Sequence, residues 1–137
     1  MSSLPEHPHI AKMVDFYQNK FKAYIVLERA GDMTLEKFVK QAETEISLGE
    51  IKTIARELLE AVIFLHANRI SHRDIKPDNI MLVTSPELHL KLIDFNIAHD
   101  LNRDPEMKGA VGVKIWSAPE TRKFAPYDET CDTWSVG

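Results

Sequence analysis

The feature that most limits how this chain can fold is a charged segment between a long amphipathic stretch and two short apolar runs. The segment is His72-Arg73-Asp74-Ile75-Lys76-Pro77-Asp78-Asn79. Before it, Gly49 to Asn68 repeats apolar side chains at the i, i+3, i+4, i+7 spacing of a helix with one buried face. After it come runs rich in β-forming residues. The sequence therefore predicts a helix, a polar loop and a pair of strands, in that order.

Apolar periodicity and turn-forming residues predict the other elements. In chain order, they are a hairpin of Ile10 to Tyr17 with Lys22 to Glu28, a helix from Thr34 to Glu45 with Thr34 as N-cap, and strands from Asn79 to Val83 and Leu88 to Ile93 joined by the turn Thr84-Ser85-Pro86-Glu87. Asn96 to Trp116 is long and irregular, and such loops are more often functional than inert. A further helix is expected to begin at Asp132.

The predicted helix Gly49 to Asn68 has a broad apolar stripe that we expect to be core. Its members are Ile51, Ile54, Ala55, Leu58, Leu59, Val62 and Leu65. The opposite, polar face carries Glu50, Lys52, Arg56 and Glu57. A stripe of this kind indicates packing against the rest of the domain rather than a binding surface.

Composition bounds the class of protein. The chain has 137 residues, 44% hydrophobic and 28% charged, which is typical of one soluble globular domain. Its net charge of -4 provides no general basic surface for nucleic acid or membrane. No apolar run reaches membrane-spanning length, and the residues from Met1 to Ala11 do not resemble a secretory signal. We therefore expect an intracellular protein of the cytoplasm or nucleus. No feature specifies an oligomeric state.

The single cysteine, Cys131, cannot form an internal disulfide, which suits a reducing compartment. The favoured interpretation of this residue is a small buried apolar side chain.

Four short motifs occur in a fixed order. The segment 72–79 is followed by Asp94-Phe95-Asn96 at a strand end, then by Ala118-Pro119-Glu120, and last by Asp132-Thr133-Trp134-Ser135-Val136-Gly137. Each motif alone is a weak signal, but the ordered set with the expected elements between them is specific. In these motifs the chain resembles the middle of a eukaryotic-type Ser/Thr protein kinase domain, which implies an α+β, protein-kinase-like fold.

The resemblance implies roles for several polar residues. Asp74 would accept or orient the proton of the substrate hydroxyl, and Lys76 would place a charge beside the transferring phosphoryl group. Asn79 and Asp94 would hold Mg²⁺ through oxygen atoms. As isolated residues, Asp74 and Asp94 would be ordinary loop carboxylates. His72 is interpreted as a structural residue, with Phe95 packed beside it.

The resemblance also implies a nucleotide site for ATP. Leu27 matches the back of the adenine pocket, the backbone of Glu28, Arg29 and Ala30 matches the linker facing adenine, and Met81 matches the residue beneath the ring. Without a ligand, Leu27 and Met81 would be strand core. Asp32 or Thr34 could contact ribose.

Three regions follow from the same resemblance, namely residues 1–28 as an N-lobe remnant, 29–33 as a hinge and 34–137 as a truncated C-lobe. A glycine-rich loop and a lysine strand are expected before His7, and none of the five glycines forms such a loop. More helices, one with an arginine partner for Glu120, are expected after Gly137. We accordingly expect the chain alone to be poorly folded and to have little activity.

Two residues differ from the family pattern. Asn96 replaces a glycine, although asparagine tolerates positive φ better than most residues. Val113 replaces a threonine and offers no hydroxyl to Asp74 and Lys76. The main interpretation is a Ser/Thr protein kinase acting on protein substrates, and the alternative is a non-catalytic, kinase-like scaffold.

The residues from Asp94 to Gly112 contain no Ser, Thr or Tyr, so we expect no switching by phosphate on this segment. Gly109 stands near the place of the usual phosphorylated residue, and Ser117 is the one nearby hydroxyl. Arg73 would then need another anion, for which Glu106 and Asp104 are the nearest candidates in sequence, or it would stay solvated beside an acidic loop without a partner.

Overall fold

The structure is a computed structural model that describes residues 4–42, 45–123 and 125–137. Its elements, in chain order, are β1 (Met13–Gln18), β2 (Ala23–Leu27), β3 (Met33–Thr34), α1 (Leu35–Gln41), α2 (Leu48–Ala67), β4 (Ile70–Ser71), β5 (Ile80–Val83), β6 (His89–Leu92), β7 (His99–Asp100) and α3 (Thr130–Val136). Short 3₁₀ turns cover Pro77–Asn79 and Pro119–Arg122. The expected mixture of helices and small sheets is confirmed.

The first element pair is the predicted hairpin. β1 and β2 run antiparallel, with Phe16 opposite Ile25 and Met13 opposite Leu27. All side chains of both strands are exposed, because no other described element covers either face. Leu27 is 48% exposed, so the expectation that it is strand core without a ligand is wrong.

Helix α1 begins where its cap predicts. The side-chain oxygen of Thr34 accepts a hydrogen bond from the backbone N–H of Lys37, as expected for an N-cap. The helix ends at Gln41, earlier than the predicted Glu45. Glu43 and Thr44, within the predicted span, lie outside the described residues.

Helix α2 is the longest element and confirms the predicted helix with boundaries shifted by one residue. Ser47 and Glu50 form a capping box, with hydrogen bonds between each side chain and the other residue's backbone N–H. The buried hydrophobic side chains of this helix are Leu58, Ala61, Val62 and Leu65. Three members of the predicted stripe, Ile51, Ala55 and Leu59, are exposed, so that part of the prediction is wrong.

Glu57 corrects the prediction for the polar face of α2. It is only 4% exposed, because β6 packs against the helix at this residue. Its carboxylate accepts a hydrogen bond of 2.7 Å from the backbone N–H of Leu90 in β6. The imidazoles of His9 and His89 also lie within 3.5 Å of its oxygens. A buried carboxylate with these partners is satisfied rather than solvated.

The main core lies between α2 and a three-stranded sheet with the order β3-β5-β6. The predicted strands after the 72–79 segment are confirmed as β5 and β6, which pair antiparallel with Ile80 opposite Leu92. Leu82, Leu90 and Leu92 are at most 1% exposed and face α2. Met81 alternates with them and is half-buried on the other face.

A second, smaller core is formed by residues from the irregular part of the chain and from α3. Its buried members are Leu101, Met107, Ala118, Tyr127 and Cys131. The predicted irregular stretch contains β7, which pairs with β4, and Met107, which forms a bridge to Tyr127. The interpretation of Cys131 as a buried apolar side chain is confirmed, and burial raises the pKa of its thiol to about 12.

Helix α3 begins at Thr130, two residues before the expected start at Asp132. Among the described residues, no helix is both long and apolar enough to cross a membrane.

Candidate functional site

The backbone of the loop formed by residues 72–79 is held by the carboxylate of Asp132, which comes much later in the chain. Asp132 is completely buried, and its oxygens accept hydrogen bonds of 2.8 Å from the backbone N–H groups of His72 and Arg73. The hydroxyl of Ser71 donates to the same carboxylate at 2.9 Å, and His66 Nε2 lies 3.0 Å from it. Burial alone would raise the pKa of Asp132, but these hydrogen bonds outweigh it and lower the pKa.

Asp132 stands in the last of the four sequence motifs, but its contact with the loop was not predicted. The identity of the residues that a carboxylate binds 59 to 61 residues away cannot be read from local pattern. The motif itself was the only available signal.

Asp74 lies at the centre of the polar cluster on this loop. Arg73 before it has a φ of 65°, a left-handed conformation that few side-chain-bearing residues adopt. One oxygen of Asp74, Oδ2, lies 2.6 Å from Lys76 Nζ and 2.8 Å from Asn79 Nδ2. Asn79 Nδ2 also donates to the backbone carbonyl of Asp74 at 2.9 Å. The structure thus brings together the three residues predicted as catalytic.

Asp94 follows strand β6 on the adjacent turn. Its φ is 64°, and its carboxylate accepts a hydrogen bond from the backbone N–H of Asn96 at 3.3 Å. Asn96 itself is not among the residues with positive φ. The tolerance of asparagine for positive φ is therefore not needed at this position, and the turn places the left-handed conformation at Asp94.

His72 and Phe95 link the two acidic residues, and the packing interpretation of both is confirmed. The rings meet edge to face with centroids 4.8 Å apart. His72 Nδ1 accepts from the backbone N–H of Asp74, so Nε2 carries the proton that it donates to the carbonyl of Ile93 at 2.9 Å. Burial lowers the pKa of His72, although the Ile93 hydrogen bond and nearby carboxylates oppose the shift in part.

Asn79 and Asp94 provide oxygen atoms suited to Mg²⁺. Both protons of Asn79 Nδ2 are directed at Asp74, and within the described residues Asn79 Oδ1 accepts no hydrogen bond. The backbone carbonyl of Asn79 accepts from the N–H of Ile93, which holds Asn79 beside the end of β6, just before Asp94. Among the described residues, no three or more His, Cys, Asp or Glu side chains form a ready metal centre. A set of two protein ligands fits Mg²⁺, which keeps water and phosphate oxygens in its coordination shell.

The residues predicted to contact adenine lie along the connection from β2 to β3 and on β5. The backbone N–H of Glu28 donates to the carbonyl of Lys12, and its carboxylate binds Lys91, the cross-strand neighbour of Met81. The Lys91 hydrogen bond, more than any other contact, lowers the pKa of Glu28. In the part of the chain that the structure describes, the backbone N–H of Ala30 makes no hydrogen bond.

The two residues proposed for ribose differ in availability. Asp32 is exposed and lies 3.4 Å from the Arg29 guanidinium. Thr34 has its hydroxyl oxygen engaged in capping α1.

Arg73 does not contact the carboxylates predicted for it. Its Nε donates to the backbone carbonyl of Ile97 at 2.7 Å, and its Nη1 lies 3.5 Å from the hydroxyl of Tyr127. Glu106 instead forms an ion pair with Lys108. The prediction of a Glu106 or Asp104 partner is wrong, because both lie on an exposed turn.

The segment that follows Asp94 contacts the loop of residues 72–79 at Gly112. A side-chain carbon added to Gly112 would lie 2.7 Å from the carbonyl oxygen of Arg73 and 3.5 Å from Asp74 Oδ1. Val113 is 43% exposed beside this contact. Ser117, the nearby hydroxyl, is buried and donates to the carbonyls of Val111 and Val113. Glu120 is half-buried and forms no ion pair within the described residues.

Comparisons with known proteins give a family match and several similar proteins. The family model described as protein kinase domain matches residues 1–137. Similar curated proteins include death-associated protein kinase 2 of Mus musculus, 35% identical over 133 residues, covering 96% of this chain and 36% of that protein. A probable myosin light chain kinase of Dictyostelium discoideum is 32% identical over 138 residues, covering 100% of this chain and 44% of the relative.

A third relative is calcium-dependent protein kinase 5 of Plasmodium berghei (strain Anka), which is 35% identical over 136 residues, or 96% of this chain and 23% of that protein. The chain thus spans less than half the length of each of these relatives.

Proposed function

Because this chain belongs to the protein kinase domain family, we propose that it carries a site for transfer of the terminal phosphoryl group of ATP to a serine or threonine hydroxyl of a protein. The observation that carries the proposal is the position of Asp74 Oδ2 between Lys76 Nζ at 2.6 Å and Asn79 Nδ2 at 2.8 Å. The names of the relatives support a protein as the phosphate acceptor.

Asp74 is the residue that acts on the acceptor. It would receive the proton of the substrate hydroxyl as the oxygen forms its bond to phosphorus and the bond to the leaving ADP oxygen breaks. Lys76 and Asn79 hold Oδ2, so Oδ1, on the Gly112 side, remains to meet the hydroxyl. Lys76 Nζ keeps further protons that can bind a phosphoryl oxygen.

Asn79 and Asp94 are proposed to hold Mg²⁺. When bound, the metal neutralises charge on the phosphate oxygens. Phe95, His72 and the positive φ of Asp94 position the carboxylate, so the protein orients this ligand before nucleotide arrives. The carboxylate of Asp94 is the charged member of the pair, and its removal should weaken metal binding most.

The nucleotide base is proposed to bind along residues 29–33, the hinge between residues 1–28 and 34–137. The free N–H of Ala30 is available to an adenine nitrogen, while the side chain of Glu28 points towards Lys91. Leu27 is 48% exposed and Met81 is half-buried, so both have apolar surface that a flat base could cover.

A second candidate function is a kinase-like scaffold that binds partners without phosphate transfer. One observation favours it, namely that Val113, which follows Gly112 in the chain, offers no hydroxyl to assist Asp74 and Lys76. The ordered cluster of Asp74, Lys76 and Asn79 favours the enzyme.

The test separates nucleotide binding from transfer. Calorimetry with Mg·ATP and radiolabelled phosphate transfer to a generic basic protein should be measured in a complete kinase domain that carries this sequence, for the parent, Asp94→Asn, Asp74→Asn and the exposed control Asp104→Asn. We expect Asp94→Asn to lose binding and transfer together. Asp74→Asn should keep binding and lose transfer, because Asp74 acts on the hydroxyl rather than the metal.

The outcomes distinguish the two functions. Transfer by the parent and by Asp104→Asn, abolished by Asp74→Asn, supports the enzyme. If the parent binds Mg·ATP but neither it nor any of the three variants transfers phosphate, the scaffold would be favoured. Equal Mg·ATP affinity for Asp94→Asn and the parent would overturn the metal assignment.

A further inference from the structure

The hydroxyl of Tyr127 lies between the 72–79 loop and the segment that follows Asp94. Arg73 Nη1 is 3.5 Å from this oxygen, and the hydroxyl donates to the backbone carbonyl of Gly109 at 3.2 Å. The oxygen therefore accepts from a cation on one side and donates to a carbonyl on the other. Hydrogen bonds arranged in this sequence polarise and strengthen each other.

Packing fixes the ring that carries this hydroxyl. Tyr127 is 8% exposed and belongs to the second core with Met107 and Cys131. Its backbone N–H donates to the carbonyl of Met107 at 3.0 Å, so main chain and side chain bind the same short stretch of the opposite segment. The position of the ring is therefore set by packing and by the backbone, and does not depend on the hydrogen bonds of the hydroxyl.

The partners of Arg73 are neutral. Its Nε donates to the carbonyl of Ile97 at 2.7 Å, and no carboxylate lies within ion-pair distance of its guanidinium in residues 4–42, 45–123 and 125–137. The residues from Asp94 to Gly112 contain no hydroxyl that could carry phosphate. A tyrosine from outside that segment occupies the position between Arg73 and Gly109.

The segment that Tyr127 contacts at Met107 and Gly109 reaches Asp74 at Gly112. Gly112, three residues after Gly109, packs so closely on the loop that an added side-chain carbon would lie 2.7 Å from the carbonyl oxygen of Arg73, with Asp74 Oδ1 3.5 Å away. The left-handed conformations of Gly109 and Gly112, with φ of 82° and 78°, fold the chain back towards Asp74. Release at Gly109 would free the turn that covers Asp74.

We propose that Tyr127 is a positioning residue whose hydroxyl joins Arg73 to Gly109 and thereby holds residues 107–112 against Asp74 without a phosphate. The catalytic consequence rests on the proposed function, whereas the anchoring itself does not. A neutral anchor of this kind is permanent, because no kinase or phosphatase adds or removes it. It is weaker than a charge-assisted pair between arginine and phosphate.

The main experiment is hydrogen exchange of peptides covering residues 107–112 in the parent and in Tyr127→Phe. Phenylalanine keeps the buried ring and removes only the oxygen. We expect exchange in this region to quicken by about fivefold or more, because the variant loses both the hydrogen bond from Arg73 and the one to Gly109. Tyr24→Phe is the matched control, because Tyr24 is 51% exposed and its hydroxyl makes no hydrogen bond in the described residues. Unchanged exchange in Tyr127→Phe, or equal acceleration in Tyr24→Phe, would overturn the proposal.

Arg73→Lys supplies a second variant that does not depend on the tyrosine ring. It keeps the positive charge and the backbone bonds to Asp132 but loses the planar guanidinium that spans Ile97 and Tyr127. We expect faster exchange of the same peptides, with no further increase when Tyr127→Phe is added. Additive effects in the double variant would contradict a shared link.

Two further readouts separate positioning from general stability and from catalysis. Phosphatase treatment of the parent should leave exchange unchanged, and slower or faster exchange after treatment would contradict a phosphate-free anchor. Where transfer is measurable, Tyr127→Phe should lower kcat without changing the KM for ATP, and a raised KM for ATP alone would contradict the assigned role. Absence of transfer in the parent would count against the proposed function, while the exchange experiment would still decide the anchor.

Discussion

The carboxylate of Asp132 accepts a hydrogen bond of 2.8 Å from the backbone N–H of Arg73, which lies 59 residues earlier in the chain. Asp132 has no exposed surface, so this bond and those from Ser71 and His72 form in a low-dielectric interior where each is strong. The first turn of α3 thereby sets the backbone of the loop that carries Asp74. Arg73, with its unfavourable positive φ, depends on that support.

Asp132→Asn should therefore destabilise the fold by about 2 to 4 kcal/mol, because an amide nitrogen would face buried N–H donors. Urea unfolding followed by circular dichroism measures the loss. Asp104→Asn, a change on an exposed turn, should alter the free energy of unfolding by less than about 0.5 kcal/mol. Equal stabilities of the two variants would contradict a supporting role for Asp132.

Local pattern predicted the elements well. The spacing of Leu58, Val62 and Leu65 is that of one helical face, and these residues are buried. The Thr34 cap and the pairing of β5 with β6 likewise follow from nearby residues, through a side-chain oxygen at a helix start and a turn between apolar runs. Such features depend on neighbours in sequence, so the sequence suffices to predict them.

Contacts between distant residues explain what local pattern missed. Glu57 was predicted on the polar face of α2, but an unpaired N–H at Leu90 makes burial of its carboxylate favourable. Tyr127 binds Arg73 and Gly109 because the second core places its ring there. Asp74, Lys76 and Asn79 were predicted together because they stand in one motif that resembles the catalytic loop of protein kinases.

Gly31 and Gly49 form a matched pair for testing the β2–β3 connection. A side-chain carbon at Gly31 would lie 2.6 Å from the backbone oxygen of Leu82, whereas at Gly49 the nearest atom is Ser47 Oγ at 3.8 Å. Gly31→Ala should cost about 1 to 3 kcal/mol of stability, because backbone must move. Gly49→Ala, inside α2, should be neutral or stabilising by up to about 1 kcal/mol. Thermal unfolding compares them, and a stable Gly31→Ala would show that this approach is not tight.

His72 predicts a pH dependence of stability with a definite sign. Burial lowers its pKa below the ordinary 6.5, so the unfolded chain takes up a proton at a higher pH than the folded chain. Its contribution is fully present above pH 6.5 and is lost as pH falls from 6.5 towards the lowered folded pKa.

The measurement is the free energy of unfolding at about pH 7.5 and about pH 5.5. His72→Asn should reduce the difference between the two values. If His72→Asn retained the full pH dependence of the parent, another group would have to be responsible.

Gly112 and Gly109 test whether the segment after Asp94 controls the position of Asp74. Both have positive φ, so alanine at either position costs about 1 to 2 kcal/mol in backbone strain. Only at Gly112 does the new carbon meet the carbonyl of Arg73 at 2.7 Å, while at Gly109 no atom lies within 4 Å. The difference between the variants therefore reports the contact with the loop.

Gly112→Ala should shift the NMR signals of the Arg73 and Asp74 backbone amides. It should also lower phosphate transfer and leave the affinity for Mg·ATP unchanged. Gly109→Ala should leave those two amide signals near their positions in the parent. Matching spectra for the two variants would mean that Gly112 does not position Asp74, and that the segment touches the loop without shaping it.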